Sequence, residues 1–384
     1  MQTWMLAATP LPTPPEPAMP AGDLLDLADR PWLKRSFAPP AMVAPPPPLL
    51  LDTPAICDAS IAATHLSVAG PVAALGCYAL ADALLAGPCH VALDCTDVIA
   101  PDLTPIYWQR ALQDGTLGDT QRPDLPIRPI TDPPAVIATP GYQEYGHWLL
   151  DILPRLWTLA AANPQPPDGL RIALPSDTPA FGRALLARLG IPPEHLLTHD
   201  PNAERLAPQT LLLPSLAHTD YRLHPASAAF YDTLVIQHAA PGPPGPTHLF
   251  LSRAQYSRPN IPGRHLLNHD DARALLEACG FTTIQPERLS WPEQLALFAG
   301  ARVIVGEHGS AMKNLVFTPP GAVVINIHRL NHTQSHIAAL RRHHLIYLRA
   351  ENLTQAPTGR MEYRVDIPAL ARCITAAFDH LNRP

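Results

Sequence analysis

The sequence predicts an α/β protein whose second half is a Rossmann-like domain. Three observations carry that reading. Short apolar, β-branched runs at 249–251, 303–305 and 323–325 each end in small or polar residues, and helical patterns follow the first two. The stretch Ala239-Ala240-Pro241-Gly242-Pro243-Pro244-Gly245-Pro246 is the clearest linker in the chain. A length of 384 residues with 47% hydrophobic content supports two full cores. The chain then divides into a proline-rich arm (1–54), a first α/β domain (55–238), the linker (239–246), the Rossmann-like domain (247–360) and a last helix (361–384).

Composition narrows the function. A net charge of -6 gives no basic footprint for nucleic acid. Lys34 and Lys313 are the only lysines, so the positive charge is nearly all arginine. Arginine suits bidentate phosphate contacts, although a biased genome composition produces the same pattern. Cys57, Cys77, Cys89, Cys95, Cys279 and Cys373 show no C-x-x-C spacing and read as reduced thiols in the cytoplasm. Residues 1–20 lack the basic start and apolar stretch of a signal peptide. The most apolar window, 68–87, is broken by Gly70, Pro71, Gly76 and Asp82 and reads as core rather than a membrane span.

Taken in order, the arm carries the run Pro45 to Pro48 and reads as irregular chain wrapped over the first domain, with one short helix over 23–30. Residues 91–93 and 135–137 read as strands. Next comes a helix in which Trp148, Leu149, Ile152, Leu156 and Leu159 share one face and His147, Asp151, Arg155 and Thr158 the other. Pro154 either kinks it or starts a second helix. Strands over 171–174 and 210–213 flank a helix over 179–189 that ends at Gly190. Beyond the linker, a helix over 270–279 is closed by Gly280, and 281–284 is a strand. Ser290 with Glu293 is a capping box for a helix running to Gly300. Strand 303–305 leads to a loop at Gly306, a helix through Phe317 and a strand over 323–327. Asp366 caps a last helix with Ile367, Leu370, Ile374, Phe378 and Leu381 on one face.

Two groups of residues carry chemistry. A strand that ends in glycines and feeds a helix exposes unpaired backbone N–H groups at the positive end of the helix dipole, which suits a phosphate. Gly306, Gly309 and Ser310 fit that description, and His308 adds a donor. Arg253, at the carboxyl end of the first strand, aims a guanidinium at the same crevice, with Arg264 as a second cation. Ser252 and Asn268 add neutral hydrogen bonds, and His332, Thr333 and Gln334 border the same place. The second group is His147 with Asp151, one turn apart on a helix, where a carboxylate orients an imidazole or takes a proton itself. Spacing leaves open which of the two is the base, with Glu144 and Glu307 in reserve. On spacing alone the same stripe also fits the solvated face of an amphipathic helix. His328, His332 and His336 are four apart, but no acidic partner or H-E-x-x-H accompanies them, and no metal is expected.

These residues resemble glycosyltransferase family 61, whose bacterial members serve in capsular polysaccharide synthesis. Tyr145-Gly146-His147-Trp148-Leu149-Leu150-Asp151 with Leu153-Pro154-Arg155 is similar to the family's aromatic-rich His-and-Asp helix. Leu251-Ser252-Arg253, Arg264 and Leu267-Asn268 resemble the opening of its second domain. Leu289-Ser290, Glu293-Gln294 and Gly306-Glu307-His308-Gly309-Ser310-Ala311 with Asn314 resemble its donor loop. Gln143 and Glu144 stand where the family often has Asn, and His269 follows Asn268 where an acidic residue is usual. The resemblance implies a GT-B architecture, two Rossmann-like domains facing across a cleft, with the last helix returning to the first domain. It implies inverting, metal-independent transfer from a nucleotide-sugar, the co-substrate in place of a cofactor, to a glycan or lipid-linked acceptor in surface polysaccharide or exopolysaccharide synthesis. That places the protein in the cytoplasm, in peripheral association with the inner membrane face. It assigns Asp151 and His147 to catalysis, and Gly306 to Ser310 with Arg253, Ser252, Arg264, Asn268 and Asn314 to the donor. The different-class alternative is a nucleotide-sugar-binding scaffold of an assembly complex without turnover.

Overall fold

The structure, a computed structural model, describes residues 33–50, 59–93, 96–97, 124–164, 167–254, 264–328, 332–355 and 361–383. The helix expected over 23–30 lies outside them, as do Cys57 and Cys95. Cys77, Cys89, Cys279 and Cys373 are free thiols. The fold is mixed α/β, and the chain divides into two compact units. One takes the residues through Ala41 and Pro71–Ala226, the other Met42–Gly70 and Ser227–Pro384.

The first unit is built on a six-stranded sheet: β1 (Leu33–Ala38), β2 (Leu75–Ala81), β3 (Pro134–Val136), β4 (Arg171–Pro175), β5 (Leu196–His199) and β6 (Thr210–Pro214), in the order β1-β2-β6-β3-β4-β5. From β6 to β5 the strands run parallel. Ala135, Val136, Ile172, Ala173, Leu174 and Leu211 are buried there, the unbroken apolar run of strands covered on both faces.

The key helical run starts at Tyr145–His147, passes through one π turn at Trp148–Ile152 and continues as α1 (Leu153–Ala162). The N–H of Leu153 bonds to the carbonyl of Trp148, a five-residue step. Pro154, in the first turn of α1, has no N–H to give Leu150, so the ordinary α register cannot continue through this point. The proline thus starts a new helix. From Trp148 to Leu159 the run is buried all round: Asp151, Arg155 and Thr158 are as enclosed as Trp148 and Leu149. The polar stripe is therefore not a solvated face. Arg155 donates to the carbonyls of Pro214 (3.0 Å) and Ala138 (2.8 Å), tying α1 to the ends of β6 and β3. Helix α2 (Ala180–Arg188) ends before Gly190, whose φ of 80° closes it.

After the hairpin β7 (His218–Thr219) and β8 (Arg222–Leu223), the second unit opens with α3 (Ser227–His238). Its sheet comprises β9 (His248–Leu251), β10 (Arg264–Leu266), β11 (Thr282–Ile284), β12 (Val303–Glu307), β13 (Val323–His328), β14 (His344–Gln355) and β15 (Met361–Val365), in the order β10-β15-β14-β13-β12-β9-β11. The five strands β11-β9-β12-β13-β14 are parallel, a 2-1-3-4-5 order. Around it lie α4 (His269–Ala278), α5 (Trp291–Ala299) with its Ser290/Glu293 capping box, a 3-10 helix (Ser310–Phe317) and α6 (His332–Arg341).

Five expectations change. Gly306 is not in a loop, because β12 runs on through Glu307, paired with β9 and β13. The segment after it is a 3-10 rather than an α helix. The last helix, α7 (Ile367–Leu381), belongs to the second unit; Leu370, Cys373, Ile374 and Ala377 pack on α4, β13 and β14, where its apolar face covers its own unit's sheet. The arm is not wrapped over the first domain alone. β1 joins the first sheet, but Leu49 bonds to Leu345 (2.8 Å); past the arm, the Ala59–Leu66 helix, expected in the first domain, packs in the second core. The division between units falls before α3 rather than at the Pro/Gly stretch, since α3 packs on α5 and the 3-10 helix.

Gly182 sits where a Cβ would overlap the Trp148 ring. Gly182→Ala is expected to destabilise the protein by about 1–3 kcal/mol through overpacking, read from the denaturant midpoint. An unchanged midpoint shows that the π turn and its tryptophan yield freely.

Candidate active site

In the first unit the structure brings His147 and Asp151 together. His147 Nδ1 lies 2.6 Å from Asp151 Oδ2, while His218 Nε2 lies 3.0 Å from Asp151 Oδ1. Thr139 Oγ1 adds a longer contact to Oδ2 at 3.4 Å. The Asp151 side chain is 0% exposed and that of His147 18%, so only the imidazole meets solvent. Burial pushes the Asp151 carboxyl up. The hydrogen bonds and charges of His147 and His218 together outweigh it and hold the group well below its ordinary value. Since His147 Nδ1 faces the carboxylate, it carries the proton there, and Nε2 is the acceptor nitrogen of the ring.

The local sequence builds this arrangement. Gly141 has no side chain because the His147 ring lies against it; a Cβ would stand 2.6 Å from Nε2. Trp148 Nε1 donates to the carbonyl of Tyr142 (2.6 Å), anchoring the turn before the helix. Tyr221, on the β7–β8 turn, stacks on His218 at 4.9 Å and 16° and lies 6.4 Å from the His147 ring. His218 and Tyr221 were missed by the sequence reading. The only signal was a histidine eight residues past the start of a strand, which is no motif.

The second unit gathers the other group at the carboxyl ends of β9 and β12, neighbouring strands at the switch point of the 2-1-3-4-5 order, where ligands bind in open α/β sheets. Arg253 follows β9, and its Nη1 occupies the space a Cβ on Gly309 would take. The guanidinium is thus laid over the start of the 3-10 helix, beside His308 and Ser310. Glu307, at the end of β12, is buried and accepts a hydrogen bond from the Tyr363 hydroxyl. Burial raises its pKa against the lowering effects of Tyr363, Arg253, Arg264 and His269. Tyr363 in turn stacks on His328, at 3.8 Å and 8°, and His328 has a φ of 78°.

Other predicted donor residues are engaged within the protein. Ser252 is bonded to His269 (2.8 Å) and to the N–H of Ala254 (3.3 Å). Asn268 clips the backbone of Val365 through both amide atoms, at 2.9 and 3.2 Å. Asn314 is buried and donates to Gln294 (3.0 Å) and to the carbonyl of Ala311 (3.1 Å). Gly306 makes room for Met312, whose sulfur would stand 2.6 Å from a Cβ there. Among the histidines four apart, His328 ends β13 while His332 and His336 lie on α6 with Thr333 and Gln334.

The two strand-end clusters define an α/β protein with a carboxylate-backed imidazole in one unit and a glycine-laid arginine in the other. The family model described as Glycosyltransferase 61 matches residues 145–325, an interval that opens at Tyr145 and closes within β13. Over that interval the chain carries a domain of this glycosyltransferase family, which suggests glycosyltransferase activity, with donor and acceptor substrates. A search of curated proteins returned no match. No helix among the described residues is long and apolar enough to cross a membrane.

Gly141→Ala is expected to displace the His147 ring and lower turnover by about tenfold or more while the fold persists. Circular dichroism and initial rates measured together check this; full activity in a folded variant means the ring does not need that seat.

Proposed function

We propose that the protein is an inverting glycosyltransferase. It moves a sugar from a nucleotide-sugar to a hydroxyl of a glycan or lipid-linked acceptor in surface polysaccharide synthesis, without a metal ion, at the cytoplasmic face of the membrane. The observation that carries the reading is the partly exposed His147 held through Nδ1 by the wholly buried Asp151, inside a Glycosyltransferase 61 domain. In this reading His147 is the base and Asp151 its orienting carboxylate. The acceptor O–H gives its proton to His147 Nε2 as its oxygen bonds to the anomeric carbon. The bond from that carbon to the donor phosphate oxygen breaks on the opposite side. Its electron pair leaves on the diphosphate, and the configuration inverts.

The leaving diphosphate is assigned to Arg253 and the first backbone N–H groups of the 3-10 helix, a preorganised set of donors where negative charge develops. His308 and Ser310 border it, with Arg264 and Glu307 further in. The proposal includes a GT-B arrangement, in which the first unit carries the acceptor and the second the donor, the two facing each other across a cleft.

His147→Ala is expected to lower kcat by about a hundredfold or more, with nucleotide-diphosphate affinity unchanged by calorimetry. Near-wild-type turnover in that variant removes the helix from the mechanism. Arg253→Ala is expected to weaken nucleotide-diphosphate binding by about tenfold or more, the loss of one charge-assisted contact. Thermal shifts across a panel of nucleotides and nucleotide-sugars identify the donor, because a bound donor stabilises the folded state with its concentration. Binding without hydrolysis or transfer to any acceptor overturns the enzyme reading in favour of a scaffold.

A further inference from the structure

We propose that His218 is the positioning residue of the base: it fixes the Asp151 carboxylate as the hydrogen-bond acceptor of His147, and the backbone turn after His218 sets the tautomer with which it does so. The proposal rests on the reading of His147 as base.

Asp151 has two oxygens and no solvent. One oxygen serves His147, and the other needs a donor of its own, or the carboxylate is left with an unmet lone pair and free to rotate. His218 Nε2 meets Oδ1 at 3.0 Å from a ring that is itself buried. An imidazole presents either a donor or an acceptor at each nitrogen. At His218 that choice is made by the main chain. The N–H of Tyr221 points at Nδ1 from 3.2 Å, and a backbone N–H can only donate. Nδ1 is therefore the acceptor, the proton sits on Nε2, and Nε2 donates to Asp151.

The N–H of Tyr221 reaches back to His218 because the hairpin turn is left-handed at both central residues, with φ of 50° at Asp220 and 64° at Tyr221. Such turns are ordinarily made by Asn-Gly or Asp-Gly pairs. Tyrosine in that conformation is strained, and strain of this kind persists where the surroundings over-determine it. Two consequences hold it in place. The Tyr221 ring lands parallel on His218, and the same residue's N–H fixes the His218 tautomer. Asp220 is anchored separately by Arg222 at 3.3 Å.

The test is two-bond 1H–15N correlation NMR of the histidine rings in the full-length wild-type protein at neutral pH. The expected result is the Nε2–H tautomer at His218 and the Nδ1–H tautomer at His147. A proton on His218 Nδ1 overturns the proposal whether or not the protein transfers sugars. If the tautomers are as expected but no transfer is found, the enzyme reading fails and the positioning stands. In kinetics, His218→Leu is expected to lower kcat by about tenfold or more with the donor KM within about twofold, and to leave His147 as a tautomer mixture. His218→Gln, whose amide N–H can meet Oδ1, recovers most of the loss. Wild-type kcat and a single His147 tautomer in folded His218→Leu overturn the proposal.

Discussion

A carboxylate with no solvent exposure organises the first unit. Taking such an ion out of water costs several kcal/mol unless donors replace the lost hydration. For Asp151 they come from three separate stretches: Thr139 after β3, His147 on the helical run and His218 on the β7–β8 hairpin. Bringing them to one point explains three local irregularities. Gly141 gives up a side chain so the His147 ring can lie on it. The π turn and Pro154 set the register between His147 and Asp151. Asp220 and Tyr221 accept left-handed backbone. Each is unfavourable alone, and all serve the same carboxylate.

The second unit handles charge differently. Arg253 is laid across a glycine at a strand end, with Glu307 and Arg264 in the same electrostatic neighbourhood. Burial raises the Glu307 pKa, against the lowering effects of Tyr363, Arg253, Arg264 and His269. The Tyr363 hydroxyl and the His328 stack hold that carboxyl in place.

The second unit was legible in outline. Its parallel strands are buried on both faces, so they read as continuous runs of Val, Ile and Leu, and Gly280 and the Ser290/Glu293 pair mark helix ends by mechanisms visible in sequence. What sequence could not carry was direction and depth. The stripe of His147, Asp151, Arg155 and Thr158 looks solvated by periodicity, yet Asp151, Arg155 and Thr158 are buried because both faces of the helix meet protein. Asn268 and Asn314 have the residue types of ligand contacts but spend their amides on Val365, Gln294 and Ala311. His218 was invisible because its partner is 67 residues away and its turn lacks glycine. The packing of 42–50 and 59–70 with the second core was hidden for the same reason: proline-rich chain carries no periodicity to say which sheet it will cover.

Both units place their polar clusters beyond the carboxyl ends of parallel strands. Thr139 and Gly141 follow β3, His218 follows β6, and Arg253 and Gly309 follow β9 and β12. In a parallel sheet every strand leaves at that end into a connection, so the loops converge there while the strands between need only be apolar and close-packed. Strand residues are thus chosen by burial, a short-range property that leaves a pattern in sequence. Loop residues are chosen by what stands across from them, a long-range property that leaves none. The same division of labour that makes the sheets predictable makes the imidazole–carboxylate–imidazole cluster visible only once the chain is folded.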